Sequence, residues 1–301
     1  MYNFNMIYNC IDVVYACLLR KDLCIDVIFL TLQFFCTNIS NTNIHSAVDL
    51  YKSDKINAVL KYGLIEYWKT DKVTNMFRLF KCSNINFNLN LWNVSNVIDM
   101  RYMFFHAKSF NQPLDKWNVS NVIDMRNMFC GAESFNQPLD EWNVSNVIDM
   151  SNMFYHAESF NQSLDKWNVS NVKYMNKMFY GAKLFNQPLN NWNTSNVHDM
   201  TSMFCNAESF NQLLDNWNVS NVIHMSWMFC NAKSFNQPLN NWNMSNVKYM
   251  RMMFFNAKSF NQPLNNWNMS NVDNMGLMFF NVESFNVESF NVELYINHNN
   301  T

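Results

Sequence analysis

The chain has 301 residues, 49% of them hydrophobic and only 15% charged, so a large apolar core is within reach and the polar surface must come mostly from Asn, Gln and Ser. A formal net charge of −2 leaves no global basic field to draw the chain to nucleic acid or to an acidic membrane. Four Gly and five Pro argue against a loose, linker-rich protein.

Residues 1–40 differ in composition from the rest. Met6 to Cys36 is strongly apolar but is interrupted by Asp12, Arg20, Lys21, Asp22 and Asp26. The longest uncharged run, Val27–Cys36, is too short to span a bilayer. No positive segment precedes the apolar run, as a signal peptide would require. Val14-Tyr15-Ala16-Cys17 is faintly like a lipoprotein cleavage box, but Arg20 and Lys21 follow it instead of preceding it. Two amphipathic helices, roughly 6–20 and 23–36, are expected here, packed on the rest of the chain or on a partner. Residues 38–43 read as a loop. Ile44–Tyr62 reads as a helix closed by Gly63, and Trp68–Phe80 as a worn copy of the unit that repeats from Trp92, so 44–91 is expected to cap an array.

From Trp92 the chain repeats. Trp92, Trp117, Trp142, Trp167, Trp192, Trp217, Trp242 and Trp267 stand 25 residues apart in nearly constant surroundings, the signature of a solenoid. In one copy the apolar positions are Leu114, Trp117, Val119, Val122, Met125, Met128, Phe129, Ala132 and Phe135. Leu114–Val119 suits a short strand. The steps of three and four from Val122 suit two to three turns of helix, capped by Ser120 or Asn121. The expected fold is thus an α/β solenoid of strand–turn–short-helix rungs over 92–286, with a narrow parallel sheet on one side. Residues 287–301, after the NVESF duplication, are expected to form a C-terminal cap or a frayed tail. The repeated tryptophans are read as core. Asn118, Asn121, Asn136 and their counterparts are read as inward-turned groups satisfying backbone atoms of their own and the next rung.

The cysteines read as apolar bulk in a reducing compartment. Cys10, Cys17 and Cys24 are seven apart, on one helix face. Cys130, Cys205 and Cys230 share a column with Phe105, Tyr155, Tyr180, Phe255 and Phe280, and no zinc-type spacing occurs. Each Asn after a repeat Trp opens a glycosylation sequon. If those side chains face inward, eight glycans have no room, which argues against a eukaryotic secretory route.

Columns that drift between copies are the candidates for recognition. The sixth and seventh residues after Trp vary (Ile123/Asp124, Lys173/Tyr174, His198/Asp199, Ile223/His224, Lys248/Tyr249, Asp273/Asn274), as do the ninth and tenth (Arg101/Tyr102, Arg126/Asn127, Asn176/Lys177, Ser226/Trp227, Arg251/Met252). Tyr102, Arg126, Tyr174, Lys177, Trp227, Tyr249, Arg251 and Met252 are the candidate protein-binding residues, because aromatic, Met and Arg side chains typify interface anchors. Before the tryptophans, Lys116, Glu141 and Lys166 are expected to form an exposed charge ladder. Asp115, Asp140 and Asp165 beside it lack the further oxygen ligands that a Ca²⁺ site needs.

The unit L-x-x-W-N-V-S-N-V-x-x-M-x-x-M-F-x-x-A-x-x-F-N-Q, carried by Leu114–Gln137 and its copies, resembles the BspA-like leucine-rich repeats. The resemblance is to the variant found in mycoplasma surface lipoproteins, large DNA viruses and protists. His45–Met76 is similar to the segment that opens such arrays, so the resemblance covers about residues 44–286. It implies a leucine-rich-repeat-like solenoid with a role in protein interaction or adhesion, and it lends no catalytic residues. The expected function is a non-enzymatic scaffold that binds a protein partner through one face. It would need no cofactor or metal, bind no nucleic acid and have no membrane span. Residence is expected in the cytoplasm, that of a host if the chain is viral; a surface-displayed adhesin is the alternative.

Overall fold

A computed structural model describes residues 38–283. The helices expected at 6–20 and 23–36 and the terminal segment 287–301 lie outside the described residues.

The array opens on a strand, β1 (Asn38–Ser40), in place of the expected loop. It pairs in parallel with β2 (Lys69–Lys72). The single helix expected over 44–62 is two, α1 (Ile44–Ser53) and α2 (Lys55–Tyr62). Asp54 separates them because it ends one and starts the other. Its N–H bonds to the Leu50 carbonyl at 2.7 Å, and its carboxylate accepts the Asn57 N–H at 3.1 Å. Gly63, at φ 79°, closes α2. The buried faces of both helices cover Trp68, whose ring meets Tyr51 at 6.0 Å and Tyr62 at 5.9 Å. This is how the first rung is shielded from water.

The rungs contain neither the strand nor the helix that the spacing predicts. In the copy around Trp117, hydrogen bonds run from the N–H groups of Trp117, Val122, Met128, Ala132 and Phe135 to the carbonyls of Leu114, Val119, Met125, Phe129 and Ala132. Each closes a four-residue turn. Apolar residues recur three apart because each pair brackets a turn and both ends point inward, not because they share a helix face. A helix is further barred by backbone geometry. The tenth and fourteenth residues after each Trp are left-handed, as at Asn127 (φ 59°) and Gly131 (φ 69°).

Between rungs the backbone forms a ladder. The N–H groups of Met125, Asn127, Phe129 and Gly131 donate to the carbonyls of Asp149, Ser151, Met153 and Tyr155 at 3.1, 3.0, 2.9 and 2.6 Å. Parallel bridges run through the seventh residue after each Trp, from Asn75 through Asp99 and Asp124 to Asn274. The parallel edge therefore exists, but it lies beyond the segment expected to form a strand. Inside it, Trp, Val, Met, Phe and Leu columns make one continuous buried core from the cap to Val282.

Equivalent rings measure the rung spacing at different depths. Trp192 and Trp217 are 6.3 Å apart, Phe185 and Phe210 6.0 Å, Phe179 and Phe204 5.6 Å, and Tyr155 and Tyr180 4.7 Å. The ladder edge is pinned near the spacing of about 4.8 Å that backbone hydrogen bonds impose. The tryptophan edge is not. The array accordingly bends, with the ladder face on the inside of the curve.

The asparagines divide the remaining bonding. Asn118 is exposed and its Oδ1 accepts the Ser120 N–H at 3.1 Å, a turn within its own rung. The sequon asparagines thus face solvent, and the crowding argument built on inward-facing ones does not hold. Asn121 does link rungs, donating to the Ser95 carbonyl at 2.7 Å from the surface. Asn111 Oδ1 accepts the Asn136 N–H at 2.9 Å and a Gln137 amide N–H at 2.9 Å.

Candidate interaction face

The seventh, ninth and tenth columns meet along the ladder edge, and the sixth runs beside them, where Ile98, Ile123 and Ile148 share a groove with Asn96, Asn121 and Asn146. At the start of the edge Phe77 meets Tyr102 at 5.9 Å, Tyr102 meets Phe105 at 5.4 Å, and the Arg78 and Arg101 guanidinium groups lie over the Phe77 ring. Ninth, tenth and thirteenth residues of successive rungs are therefore neighbours in space. The tenth is the left-handed corner, occupied by Tyr102, Asn127, Asn152, Lys177, Ser202, Trp227, Met252 and Leu277. Asn suits this backbone; Trp, Met and Leu do not, at a cost of roughly 1–2 kcal/mol each. Trp227 is 37% exposed, whereas the nine other tryptophans are 2–6% exposed. Trp227→Asn is expected to raise stability by about 1 kcal/mol, since it relieves a left-handed residue that contributes little to the core. Urea unfolding checks this, and a loss of stability would show that Trp227 is held there by packing.

The face has two halves of different chemistry. Near the N-terminal end, Arg101 grips Asp99 at 2.6 Å and reaches Asp124 at 3.7 Å. Arg126 holds Asp124 at 2.7 Å and Asp149 at 3.5 Å. Arg126, expected as a binding residue, is thus a clamp between rungs. Asp149 has its carboxyl pushed above the usual range, chiefly by burial, although the Ser151 N–H and hydroxyl and Arg126 oppose the shift. A raised carboxyl pKa in the folded state means that the native form holds its proton longer, so this stability is present at low pH and is lost as pH rises. Asp149→Asn is expected to raise the unfolding midpoint at pH 7 and to leave it unchanged below about pH 3, where the carboxyl is protonated in either state. Asn274 shows that Asn fits the column, accepting the Gly276 N–H at 3.0 Å.

Toward the C-terminal end the same columns carry Tyr174, Lys177, Trp227, Tyr249, Arg251 and Met252. The sixth and seventh columns add Lys173, His224 and Lys248, which drift in the sequence but carry no motif to single them out. Tyr174 and Tyr249 are exposed, and the His224 and Tyr249 rings stack at 4.9 Å and 6°.

Elsewhere the surface is self-satisfied. The sixteenth column pairs Lys108 with Glu133, Lys183 with Glu158, Lys233 with Glu208 and Lys258 with Glu283, all within 3.3 Å. Before the tryptophans Lys166 pairs with both Glu141 and Asp140, Asn90 bonds Asp115 and Asn191 bonds Asp165. The expected charge ladder is formed there between two rungs. The Cys130 thiol, buried among apolar neighbours, is pushed up to about 12. Cys205 and Cys230, on adjacent rungs, share a hydrogen bond that pushes Cys205 up and draws Cys230 down. Among the described residues no three His, Cys, Asp or Glu side chains come together as metal ligands would. An open groove of about 630 Å³ runs beside Ile98, Ile123 and Ile148, edged by Asp71 and Thr74.

The chain matches the family described as "Mycoplasma protein of unknown function, DUF285" over residues 42–157, 112–212 and 185–292. No curated protein and no solved structure matches it. Among the described residues no helix is long and apolar enough to cross a membrane.

Proposed function

We propose that the chain, which belongs to that mycoplasma repeat family of unknown function, is a non-enzymatic scaffold that binds a partner protein through its ladder face. One observation carries this reading. On a frame whose inward columns hardly change, the ladder face alone combines side chains that differ from rung to rung with bulky residues held in a left-handed backbone. Local strain of this kind persists where something other than stability retains it. The inside of the curve also lets several rungs touch one partner at once, as solenoid binders do. A leucine-rich-repeat relationship of the BspA-like type and a cytoplasmic site of action belong to this proposal, as does the absence of any cofactor.

The test is in-cell proximity labelling followed by capture with the purified chain. Trp227→Ala and Tyr249→Ala should each reduce capture of the labelled partner at least tenfold. Lys116→Ala and Glu141→Ala, on the opposite edge, should leave it intact. Equal capture by all four variants would refute the assignment of the ladder face.

A further inference from the structure

The charges of the ladder face are ion-paired, and so balanced locally, in one half and unpaired in the other. Over the rungs opened by Trp92, Trp117 and Trp142, the two arginines are held by Asp99, Asp124 and Asp149. Over the rungs opened by Trp167, Trp192, Trp217, Trp242 and Trp267, the same columns hold Lys173, Lys177, Lys248 and Arg251 against two carboxylates, Asp199 and Asp273. None of these four cations has an ion-pair partner among the described residues, although the lysines of the sixteenth column are paired throughout. Interleaved with them are Tyr174, Tyr249 and Trp227, 43, 39 and 37% exposed.

We propose that this C-terminal half of the ladder face binds an acidic peptide segment of the partner, with carboxylates meeting Lys173, Lys177, Lys248 and Arg251 and apolar side chains lodging against Trp227 and Met252. The proposal rests on the scaffold reading above and names the partner's chemistry. Unpaired cations on a concave surface attract anions from a distance and gain charge-assisted hydrogen bonds on contact. Aromatic rings at their side supply the apolar contact that carries most of the affinity in protein interfaces. A single-stranded nucleic acid fits less well. Stacking of bases needs free ring faces, and the His224 and Tyr249 rings each spend one face on the other. A second copy of the chain fits less well too, because three acidic residues of its own ladder face, Asp99, Asp124 and Asp149, are already held by Arg101 and Arg126.

The test uses the full chain and three fluorescent probes of equal length. One peptide alternates Glu with Leu and Phe, one has Lys in place of Glu, and the third is oligo(dT). The Glu peptide is expected to bind at least tenfold more tightly than the Lys peptide and to lose at least tenfold in affinity between 50 and 300 mM salt, on the order expected for a multiply charged contact. It should also change the emission of Trp227, a response absent from Trp227→Phe. Lys177→Glu and Arg251→Glu should each weaken binding by about tenfold or more, while Arg126→Ala in the balanced half leaves it unchanged. Tighter binding of oligo(dT), equal binding of the two peptides, or self-association displacing the Glu peptide would overturn the proposal. Proximity labelling stays informative in each case: a partner lost on Trp227→Ala but lacking acidic segments leaves the scaffold reading standing and this inference refuted. Circular dichroism establishes that each variant is folded.

Discussion

Trp142→Ala is expected to destabilise the array by about 3–5 kcal/mol, the range for emptying the site of a fully buried aromatic side chain. Three features combine at that position. The Trp142 ring is 2% exposed and lies parallel to Trp117 at 6.3 Å and 4°. It also meets Phe129 at 6.3 Å, so two columns lose contact at once. Its Nε1–H donates to the Leu114 carbonyl at 2.9 Å, 28 residues back, a bond repeated from Trp117 to Leu89 and from Trp167 to Leu139. Removing the donor takes one of two hydrogen bonds from the Leu114 carbonyl, which keeps the Trp117 N–H at 3.1 Å, so the loss of this bond adds only about 1 kcal/mol to the cavity cost. In a linear array a lesion weakens mainly the interfaces beside it, so unfolding should also become less cooperative. Urea unfolding followed by circular dichroism would measure both effects. The matched control is Trp227→Ala, the same substitution at the exposed corner, expected to change stability by less than about 1 kcal/mol. If the two variants unfold alike, the stacked tryptophans are not what joins the rungs.

Those two tryptophans also show what could be read in the sequence. A period of 25 residues with constant apolar columns reports burial directly, because every inward position must satisfy the same neighbour one rung away. Trp117, Val119, Val122, Met125 and Phe129 were all legible as core on that ground, and Trp227 stood out by falling off the period. Local backbone form was not legible from spacing. Turns closed by bonds three residues apart give the same apolar spacing of three as a helix face, so Met125, Met128, Phe129 and Ala132 fit either. The deciding signal lay in the fourteenth column, which runs His106, Gly131, His156, Gly181, Asn206, Asn231, Asn256, Asn281. Gly, Asn and His are the types that tolerate a left-handed backbone, so a column confined to them points to a corner and excludes a helix. The candidate face was legible as drift, but its chemistry was not. Whether Arg126 is a clamp and Lys177 an unpaired charge depends on the carboxylates that the neighbouring rungs place beside them.

The same fourteenth column carries the second large effect. Gly131→Ala is expected to cost about 2–3 kcal/mol, of which about 1–2 comes from placing a Cβ on a left-handed residue. The remainder comes from the rung before. A Cβ on Gly131 would stand 2.3 Å from Nδ1 and 2.7 Å from Cε1 of His106, so the imidazole would have to leave its place against Phe105, 4.4 Å away. Gly181 lies under His156 in the same way, with a Cβ contact of 2.6 Å. His and Gly alternate because a ring reaching over the next rung needs the space of a missing side chain. Further along the column the two types give way to asparagines that bond to each other, Asn231 to Asn206 at 2.8 Å and Asn256 to Asn231 at 2.7 Å. That pairing offers a rescue. His106→Asn together with Gly131→Asn should reproduce the pair and bring stability to within about 1 kcal/mol of the original chain, whereas Gly131→Asn alone should not. A double-mutant cycle by urea unfolding measures the coupling. Additive effects of the two substitutions would show that the alternation of His and Gly is not a packing relation between rungs.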